Sequence, residues 1–292
     1  MYKHLFILTL CILILSPMRL EASEPTRDSV VYIPNYEPGT TDIYQYVVTL
    51  LNLAMALTEP EFGPVQIIAN PAPTPQQRQF LNLRNGQTDI MWSVTTYARE
   101  QENTVIRIPL TGGMFGYRVM LIKEGDERFR ETIELPDLKQ LSAVQGSDWP
   151  DTDILRYHGF TVTPSVYTSA FKLLDRGMVD YFPRAVHEIF EEISAHHELS
   201  LTTEQYIALQ YDNPMFFFVA ARRPELAKRL EIGLNRLYEN GDLQRLLTSQ
   251  HFYIQARNLL KGRTIYPLNN PLLSEQTRQA MKRYQSPLAS AL

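Results

Sequence analysis

Three stretches of this sequence carry side chains that could hold an anionic or polar ligand, and each follows a short run of strand length. The first contains Ser93, near the end of the apolar run Ile90–Val94, and Thr95, Thr96 and Arg99, which follow that run. A guanidinium group binds a carboxylate through two parallel hydrogen bonds, and neighbouring hydroxyls add further donors. The alternative is structural, with a threonine as the helix N-cap and the arginine on the helix surface.

The second stretch is Gly146-Ser147-Asp148-Trp149, at the start of a predicted helix. Backbone N–H groups at a helix start can bind an anion or another polar group, and Ser147 adds a hydroxyl. Trp149 either stacks on the ligand or covers its own lobe, and the sequence leaves both roles open.

The third candidate is Arg184, which follows the strand-like run Val179–Phe182. Its guanidinium could face the ligand, or it could form a salt bridge with Glu188 one helical turn later. Tyr36, in the loop before the first predicted helix, is an aromatic candidate for the same site, with core packing as its competing role.

Signatures of catalysis and of metal binding are missing from the sequence. It contains no G-x-S-x-G, no P-loop, no dinucleotide G-x-G-x-x-G and no H-E-x-x-H motif. The adjacent His196 and His197 would point away from each other on a helix, which favours a solvated turn over a metal site. We therefore predict no catalytic residue, no metal and no cofactor, and we do not expect an enzyme.

An alternating order of strands and helices positions these candidates. Residues 29–94 read as β-α-β-α-β, and residues 142–195 read as a second unit of the same kind. Extended passages around Gly112–Gly116 and Asp212-Asn213-Pro214 join the two units. The prediction is an α/β fold of two lobes, each a mostly parallel sheet flanked by helices, with two crossovers as a hinge and the ligand site in the cleft.

The predicted boundaries follow from those passages. Lobe 1 is expected to comprise residues 23–112 and 213–292, and lobe 2 residues 113–212. The tail from Gly262 contains three prolines, so it is predicted to be irregular with one short helix.

Composition and the N-terminal segment indicate where the protein works. The 292 residues carry a net charge of −4, which does not favour nucleic acid or anionic lipid as a partner. Residues 1–22 read as a cleaved signal peptide, because the apolar run Leu5–Leu15 is shorter than the roughly 20 residues that span a bilayer. The single cysteine, Cys11, lies in that run, so the mature chain has no thiol and suits an oxidising compartment. We expect a periplasmic protein whose mature chain does not insert into the membrane.

The order and spacing of several loose motifs resemble the type II periplasmic solute-binding proteins, in particular the extracellular solute-binding family that serves polar amino acid uptake. The motifs, which together cover most of residues 29–255, are Gly86-x-x-Asp89, Thr95-x-x-x-Arg99, the crossover near Pro109, Gln145-Gly146-Ser147, Leu174-x-x-Gly177-x-x-Asp180 and Leu237-x-x-x-Gly241-Asp242. The resemblance implies that Arg99 binds the α-carboxylate of the ligand. It also implies that groups around Ser147 assist from lobe 2.

One departure from the family pattern changes the expected ligand. Amino acid binders place an acidic residue for the ligand's α-ammonium where this chain has Pro183-Arg184-Ala185. A cation there would repel an ammonium group and favour a second anionic group. We therefore expect a small polar, anionic solute without an essential α-amine.

The resemblance implies a monomer that delivers its solute to the inner-membrane permease of an ABC transporter. A signalling partner of a membrane sensor is the first alternative, and a closing two-lobed protein would serve either role. A hydrolase on the same scaffold would need a nucleophile–base pair, which the sequence does not show. A degenerate module that acts only as a partner-binding surface is the remaining alternative.

Overall fold

The computed structural model describes residues 29–35 and 40–284. The predicted signal peptide and Tyr36 lie outside the described residues, so both stay predictions. Among the described residues, no helix is both long enough and apolar enough to cross a membrane.

The first lobe alternates strands and helices in the predicted order. In chain order its first elements are β1 (Val30–Ile33), α1 (Thr41–Leu57), α2 (Glu59–Phe62), β2 (Gln66–Ala69), α3 (Gln76–Arg84), β3 (Ile90–Val94), α4 (Tyr97–Glu102) and β4 (Thr104–Ile106). Strands β1 and β2 pair in parallel, while β3 and β4 both pair antiparallel with a later strand, Met215–Val219.

A buried carboxylate joins the two small sheets of this lobe. Asp89 precedes β3, and its side chain accepts a hydrogen bond of 2.9 Å from the backbone N–H of Tyr32 in β1. The backbone N–H of Asp89 donates in return to the Tyr32 carbonyl at 2.8 Å. Arg222 and Arg223 also contact this carboxylate, so its charge is compensated.

The second lobe is one sheet with helices around it. Its elements are β5 (Tyr117–Lys123), α5 (Leu135–Gln140), β6 (Ser142–Gly146), α6 (Pro150–Tyr157), β7 (Thr161–Ser165), α7 (Tyr167–Asp175), β8 (Tyr181–Ala185), α8 (Ile189–Ala195), β9 (Leu201–Thr203) and β10 (Ile207–Gln210). Strand β6 runs parallel to β7 and β8, whereas β8, β9 and β10 run antiparallel to β5. Within the described residues β5 is therefore the one reversed strand of a mostly parallel sheet.

The chain then returns to the first lobe. The returning elements are β11 (Met215–Val219), α9 (Pro224–Glu239), α10 (Asp242–Thr248), α11 (His251–Leu260), β12 (Thr264–Pro267) and α12 (Glu275–Arg283). Helix α9 packs on α1 so closely that a Cβ atom on Gly233 would lie 2.4 Å from the Ala54 carbonyl oxygen. Only glycine permits this approach of two helix backbones.

The tail departs from the predicted irregular structure. Helix α11 and strand β12 were not predicted, and β12 pairs in parallel with β10, in the sheet of the second lobe. Helix α12 instead contacts the first lobe, where Ser274 and Thr277 donate hydrogen bonds to Glu100. Residues 264–284 therefore pass from one lobe to the other, which the predicted lobe boundaries do not include.

The two predicted crossovers lie side by side. Gly112 and Gly113 adopt positive φ angles of 53° and 81°, which makes the bend that the sequence predicts at this place. The backbone N–H of Tyr211 donates to the Gly116 carbonyl at 2.9 Å. A Cβ atom on Gly116 would lie 2.6 Å from the Tyr211 carbonyl oxygen, so the two strands touch at this glycine.

Candidate functional site

A cavity of about 710 Å³ lies between the two lobes. The first lobe lines it with the start of α1, the start of α3 and the end of β3. The second lobe contributes the start of β5, the loops that lead into α6 and α7, and the segment around the end of β8. Its polar and aromatic lining includes Tyr44, Gln76, Trp92, Ser93, Arg118, Ser147, Trp149, Asp151, Tyr167, Arg184 and Glu188.

Two carboxylates of the second lobe bind the N-termini of two helices of the first lobe. Asp148 Oδ2 accepts from the backbone N–H of Gln77 at the start of α3, at 3.1 Å. Glu191 accepts from the first two N–H groups of α1, those of Thr41 at 2.8 Å and Asp42 at 3.3 Å. Free N–H groups at a helix start favour such partners. The lobes are therefore in direct contact across the cleft.

Arg99 lies where the sequence places it but already has protein partners. Its Nη1 donates to Ser93 Oγ at 3.1 Å and to the Val94 carbonyl at 2.8 Å. Its Nη2 donates to Gln76 Oε1 at 2.5 Å and to the Asp148 carbonyl at 3.2 Å. The four N–H groups of the two terminal nitrogens are thus used, and Arg99 is not among the residues that line the cavity.

The surroundings of Arg99 explain this position. Its guanidinium lies 4.8 Å from the centre of the Phe80 ring, and burial lowers the pKa of Arg99 to about 10. The predicted helix cap is present as well, since the backbone N–H of Arg99 donates to Thr96 Oγ1. In this arrangement Arg99 connects the first lobe to the Asp148 backbone of the second.

Ser93 and Thr95 have different roles. Ser93 lines the cavity with its hydroxyl beside Arg99. Thr95 is buried, and its hydroxyl donates to Glu100 at 2.8 Å. Glu100 also accepts from Arg107 at 2.8 Å. Burial acts to raise the pKa of Glu100, but hydrogen bonds from Thr277, Ser274, Arg107 and Thr95 lower it overall. Thr95 therefore belongs to the network that holds the tail.

The Gly146–Trp149 turn brings an aromatic side chain to the cavity. The backbone N–H groups of Ser147 and Trp149 donate to Ser165 and Gly146 carbonyls, so the start of α6 uses them internally. A Cβ atom on Gly146 would lie 2.3 Å from the Trp149 ring, so the glycine lets this ring fold back over the chain. Ser147 is exposed and lines the cavity with its side chain.

Arg184 is buried and ion-paired. Its Nη2 lies 2.9 Å from Glu188 Oε2, the salt bridge that the sequence offered as an alternative, and its Nε donates to Glu192 Oε2 at 2.7 Å. Trp149 covers the guanidinium at 4.6 Å, and the Tyr167 hydroxyl donates to Glu192 at 2.8 Å. Burial acts to lower the pKa of Arg184, but the two carboxylates raise it overall. Arg184 therefore brings no uncompensated positive charge to the cleft.

Arg118 is a cavity residue that the sequence analysis missed. It lies in β5, is 4% exposed, and lines the cavity. Its Nε donates to Asp151 Oδ1 at 2.8 Å and to the Tyr211 hydroxyl at 3.1 Å, and its Nη2 lies 2.8 Å from Asp151 Oδ1. Nη1 has no hydrogen-bond partner among the described residues. The signal available in the sequence was one arginine inside the otherwise apolar run Tyr117–Ile122.

Glu188 lines the cavity, and its neighbour His187 is buried. Burial raises the pKa of Glu188 to about 7; Arg184 opposes the rise and Glu192 adds to it. Burial and the charges of Arg118 and Arg184 lower the pKa of His187 well below its usual value, so this histidine is neutral. The described residues contain no group of three or more His, Cys, Asp or Glu side chains that could hold a metal ion.

The structure brings together most of the predicted site. Ser93, Ser147, Trp149 and Arg184 line one cavity, although they come from separate parts of the chain. Asn35 and Thr40, the described residues on either side of the segment that contains Tyr36, also line this cavity. The assignment of these residues to a ligand site is a prediction.

Comparison with known proteins gives a likeness of structure rather than of sequence. No protein-family model and no curated protein sequence matches the chain. An ancestral arginine-binding protein bound to glutamine matches with a TM-score of 0.56 at 13% identity, over 77% of this chain and 98% of that one. A Salmonella typhimurium periplasmic binding protein with high arginine specificity matches with a TM-score of 0.55 at 12% identity, over 76% and 98% of the two chains.

A third solved structure comes from a signalling protein. It is a histidine kinase sensor domain with similarity to periplasmic binding proteins, with a TM-score of 0.54 at 17% identity, over 78% of this chain and 97% of that one. The likeness at these identities concerns the fold. The chain has the two-lobed α/β fold of type II periplasmic binding proteins, and the fold predicted from its motifs is confirmed.

Proposed function

We propose that this chain binds a small polar solute in the cleft between its lobes and presents the bound form to an inner-membrane transporter from the periplasm. The observation that supports this most is the cavity itself, which both lobes line with paired charges and aromatic rings. Such an enclosed site with a few polar groups is the usual form of a small-molecule site. The predicted signal peptide and the structural likeness to periplasmic binding proteins support the location.

The solute is proposed to carry one acidic group. An anionic solute without an essential α-amine was expected because Arg184 stands where amino acid binders have an acidic residue, but Glu188 and Glu192 balance the charge of Arg184. An ammonium or hydroxyl group on the ligand would therefore meet carboxylates beside Arg184 rather than a lone cation. A polar solute with both an acidic group and a hydrogen-bond donor fits this lining better than a purely anionic one.

Binding rather than catalysis suits the charged groups of the cleft. Arg118 is held by Asp151 and Arg184 by two glutamates, so these side chains are fixed in ion pairs. A general base or nucleophile would need a free position next to the reacting atom. We propose a monomeric binding protein with no metal or cofactor.

A thermal-shift screen of residues 23–292 tests the proposal. The probes are the common L-amino acids, their 2-oxo and 2-hydroxy acid counterparts, and short dicarboxylic acids. A ligand that binds the folded state alone raises the melting temperature, and the rise grows with the logarithm of one plus the ratio of ligand concentration to Kd. Isothermal titration calorimetry then measures the Kd of each probe that raises it. A flat response to every probe, with intact two-state unfolding, would reject solute binding.

A ligand-binding partner of a membrane sensor is the second candidate. The structural match to a histidine kinase sensor domain favours it, since that domain has the same two-lobed fold. The genes beside this one separate the two functions. Neighbouring permease and ATPase genes support transport, whereas a neighbouring sensor kinase gene without a permease supports signalling.

A further inference from the structure

Arg118 is an arginine fixed in place with one terminal nitrogen unused. Asp151 and the Tyr211 hydroxyl hold Nε and Nη2 from the side of the second lobe and the crossover. Burial acts to lower the pKa of Arg118, and Asp151 raises it overall, so the group stays charged. A fixed, charged donor at the wall of a cavity is pre-organised for an acceptor that enters the cavity.

The unused nitrogen is an exception that needs an explanation. Nη1 is buried and finds no acceptor among the described residues, although most buried polar atoms in proteins are hydrogen-bonded. A charged donor without a partner is more costly than a neutral one. A carboxylate oxygen of a bound solute would complete its hydrogen bonds.

The carboxylate of Glu188 is a hydrogen-bond acceptor in the same cavity. Its Oε2 accepts from Arg184, while no residue of the described ranges donates to its Oε1. Glu188 lines the same cavity as Arg118, and the two charges are close enough to affect each other. A solute anchored at Arg118 can therefore place an amino or hydroxyl group against Glu188.

We propose that Arg118, and not Arg99, binds the acidic group of the solute through Nη1, and that Glu188 Oε1 accepts a hydrogen bond from a donor group on the same solute. This inference rests on the proposed solute-binding function. It assigns the ligand to small carboxylic acids that carry an amino or hydroxyl group near the carboxylate. It also places both anchors of the head group on the second lobe, whereas Arg99 joins the lobes to each other.

The experiment compares Kd values for one probe, the L-amino acid or hydroxy acid that binds the unmodified protein most tightly. Arg118→Lys keeps the charge beside Asp151 but cannot reach the Nη1 position. The double variant Arg118→Gln/Asp151→Asn removes both charges together, so that no buried charge is left alone. Each is expected to weaken binding by about 10- to 100-fold, the size of one charge-assisted hydrogen bond.

A second buried ion pair of the same lobe provides a matched control. Arg263 and Glu204 are as buried as Arg118 and Asp151, lie 3.0 Å apart and do not line the cavity. The double variant Arg263→Gln/Glu204→Gln should lower the melting temperature and leave Kd within about twofold, since it touches no ligand. Arg99→Lys should change Kd less than Arg118→Lys does.

Glu188→Gln tests the other half of the site. This variant should raise the Kd of an amino acid probe by at least about tenfold. It should raise the Kd of the matching 2-oxo acid, which lacks the amino group, much less. Equal losses for both probes would overturn the role of Glu188.

The outcomes separate this inference from the proposed function. If the unmodified protein binds none of the probes, solute binding fails and the Arg118 site fails with it. If the protein binds and both Arg118 variants bind equally well, Nη1 holds a structural water only and the assignment to Arg118 is wrong. If Arg99→Lys lowers the affinity for the probe and the Arg118 variants do not, Arg99 is the residue that binds the acidic group.

Discussion

Replacing Glu188 by glutamine is predicted to change how the stability of this protein depends on pH. Burial raises the pKa of Glu188 in the folded protein from 4.5 to about 7. Between these two pH values the folded protein keeps a proton on Glu188 that the unfolded chain has released. Stability therefore falls as pH rises through this interval, because the folded state binds more protons.

The size of the effect follows from the two pKa values. They differ by about 2.5 pH units, and one unit corresponds to about 1.36 kcal/mol, so the contribution amounts to about 3 kcal/mol. It is fully present below pH 4.5 and is lost above pH 7. Glu188→Gln cannot release a proton, so its free energy of unfolding lacks this decline.

Urea unfolding at several pH values between 4.5 and 8 measures the effect. From pH 4.5 to 8, the free energy of unfolding of the variant should rise by about 3 kcal/mol relative to that of the unmodified protein. A difference between the two proteins that does not depend on pH does not affect this change. Glu61→Gln is the control, because Glu61 pairs with Arg236 on the surface, where solvent screens the pair. A difference between Glu188→Gln and the unmodified protein that is the same at every pH would refute the reasoning.

Three further changes test the packing described above. Gly233→Ala should lower the free energy of unfolding in urea by about 1–3 kcal/mol, because a Cβ atom would overlap the Ala54 carbonyl. Helix propensity alone predicts a gain of about 1 kcal/mol, and such a gain would contradict the close approach of α1 and α9. Gly116→Ala should weaken probe binding in calorimetry by displacing Tyr211, which holds Arg118, and an unchanged Kd would count against that coupling. Glu100→Ala should speed amide hydrogen exchange in α12 without affecting α5; equal protection in both proteins would show that Glu100 does not hold the tail.

Local signals in the sequence predicted most of the first lobe. The sequence predicts a helix over Gln76–Arg84 that Asn85-Gly86 ends, and a strand over Ile90–Val94 that follows a polar turn. Helix α3 and strand β3 have these bounds. A stripe of leucines followed by Asn240-Gly241 likewise predicts a helix over Pro224–Glu239, and helix α9 has these bounds. Each of these elements is bounded by residues that are neighbours in sequence.

The tail could not be predicted in the same way. Strand β12 pairs with β10, whose residues lie more than fifty positions earlier, and its own sequence, TIYP, ends in a proline that suggests a turn. Helix α12 is held by Glu100, about 175 positions away. These contacts join residues that are far apart in the sequence, so no local sequence pattern indicates them.

The candidate site was predictable in part for the same reason. The salt bridge between Arg184 and Glu188 spans one helical turn and was visible in the sequence. Glu192, eight positions away, reads as part of an exposed helix face in the sequence, but it is buried and pairs with Arg184. Arg118 depends on Asp151 and Tyr211, which are 33 and 93 positions away. The position of Arg99 was predicted, but its contact with the Asp148 carbonyl depends on how the lobes approach each other.

The tail adds a third chain segment beside the two crossovers. Asn270 donates to the Asp212 carbonyl of the second crossover at 2.8 Å, and the backbone N–H of Tyr97 donates to the Leu272 carbonyl at 2.7 Å. Any rotation of one lobe against the other must bend three segments instead of two, so its amplitude is smaller. Under the proposed solute-binding function, the change in lobe arrangement on binding should therefore be smaller than in a hinge made of two crossovers alone.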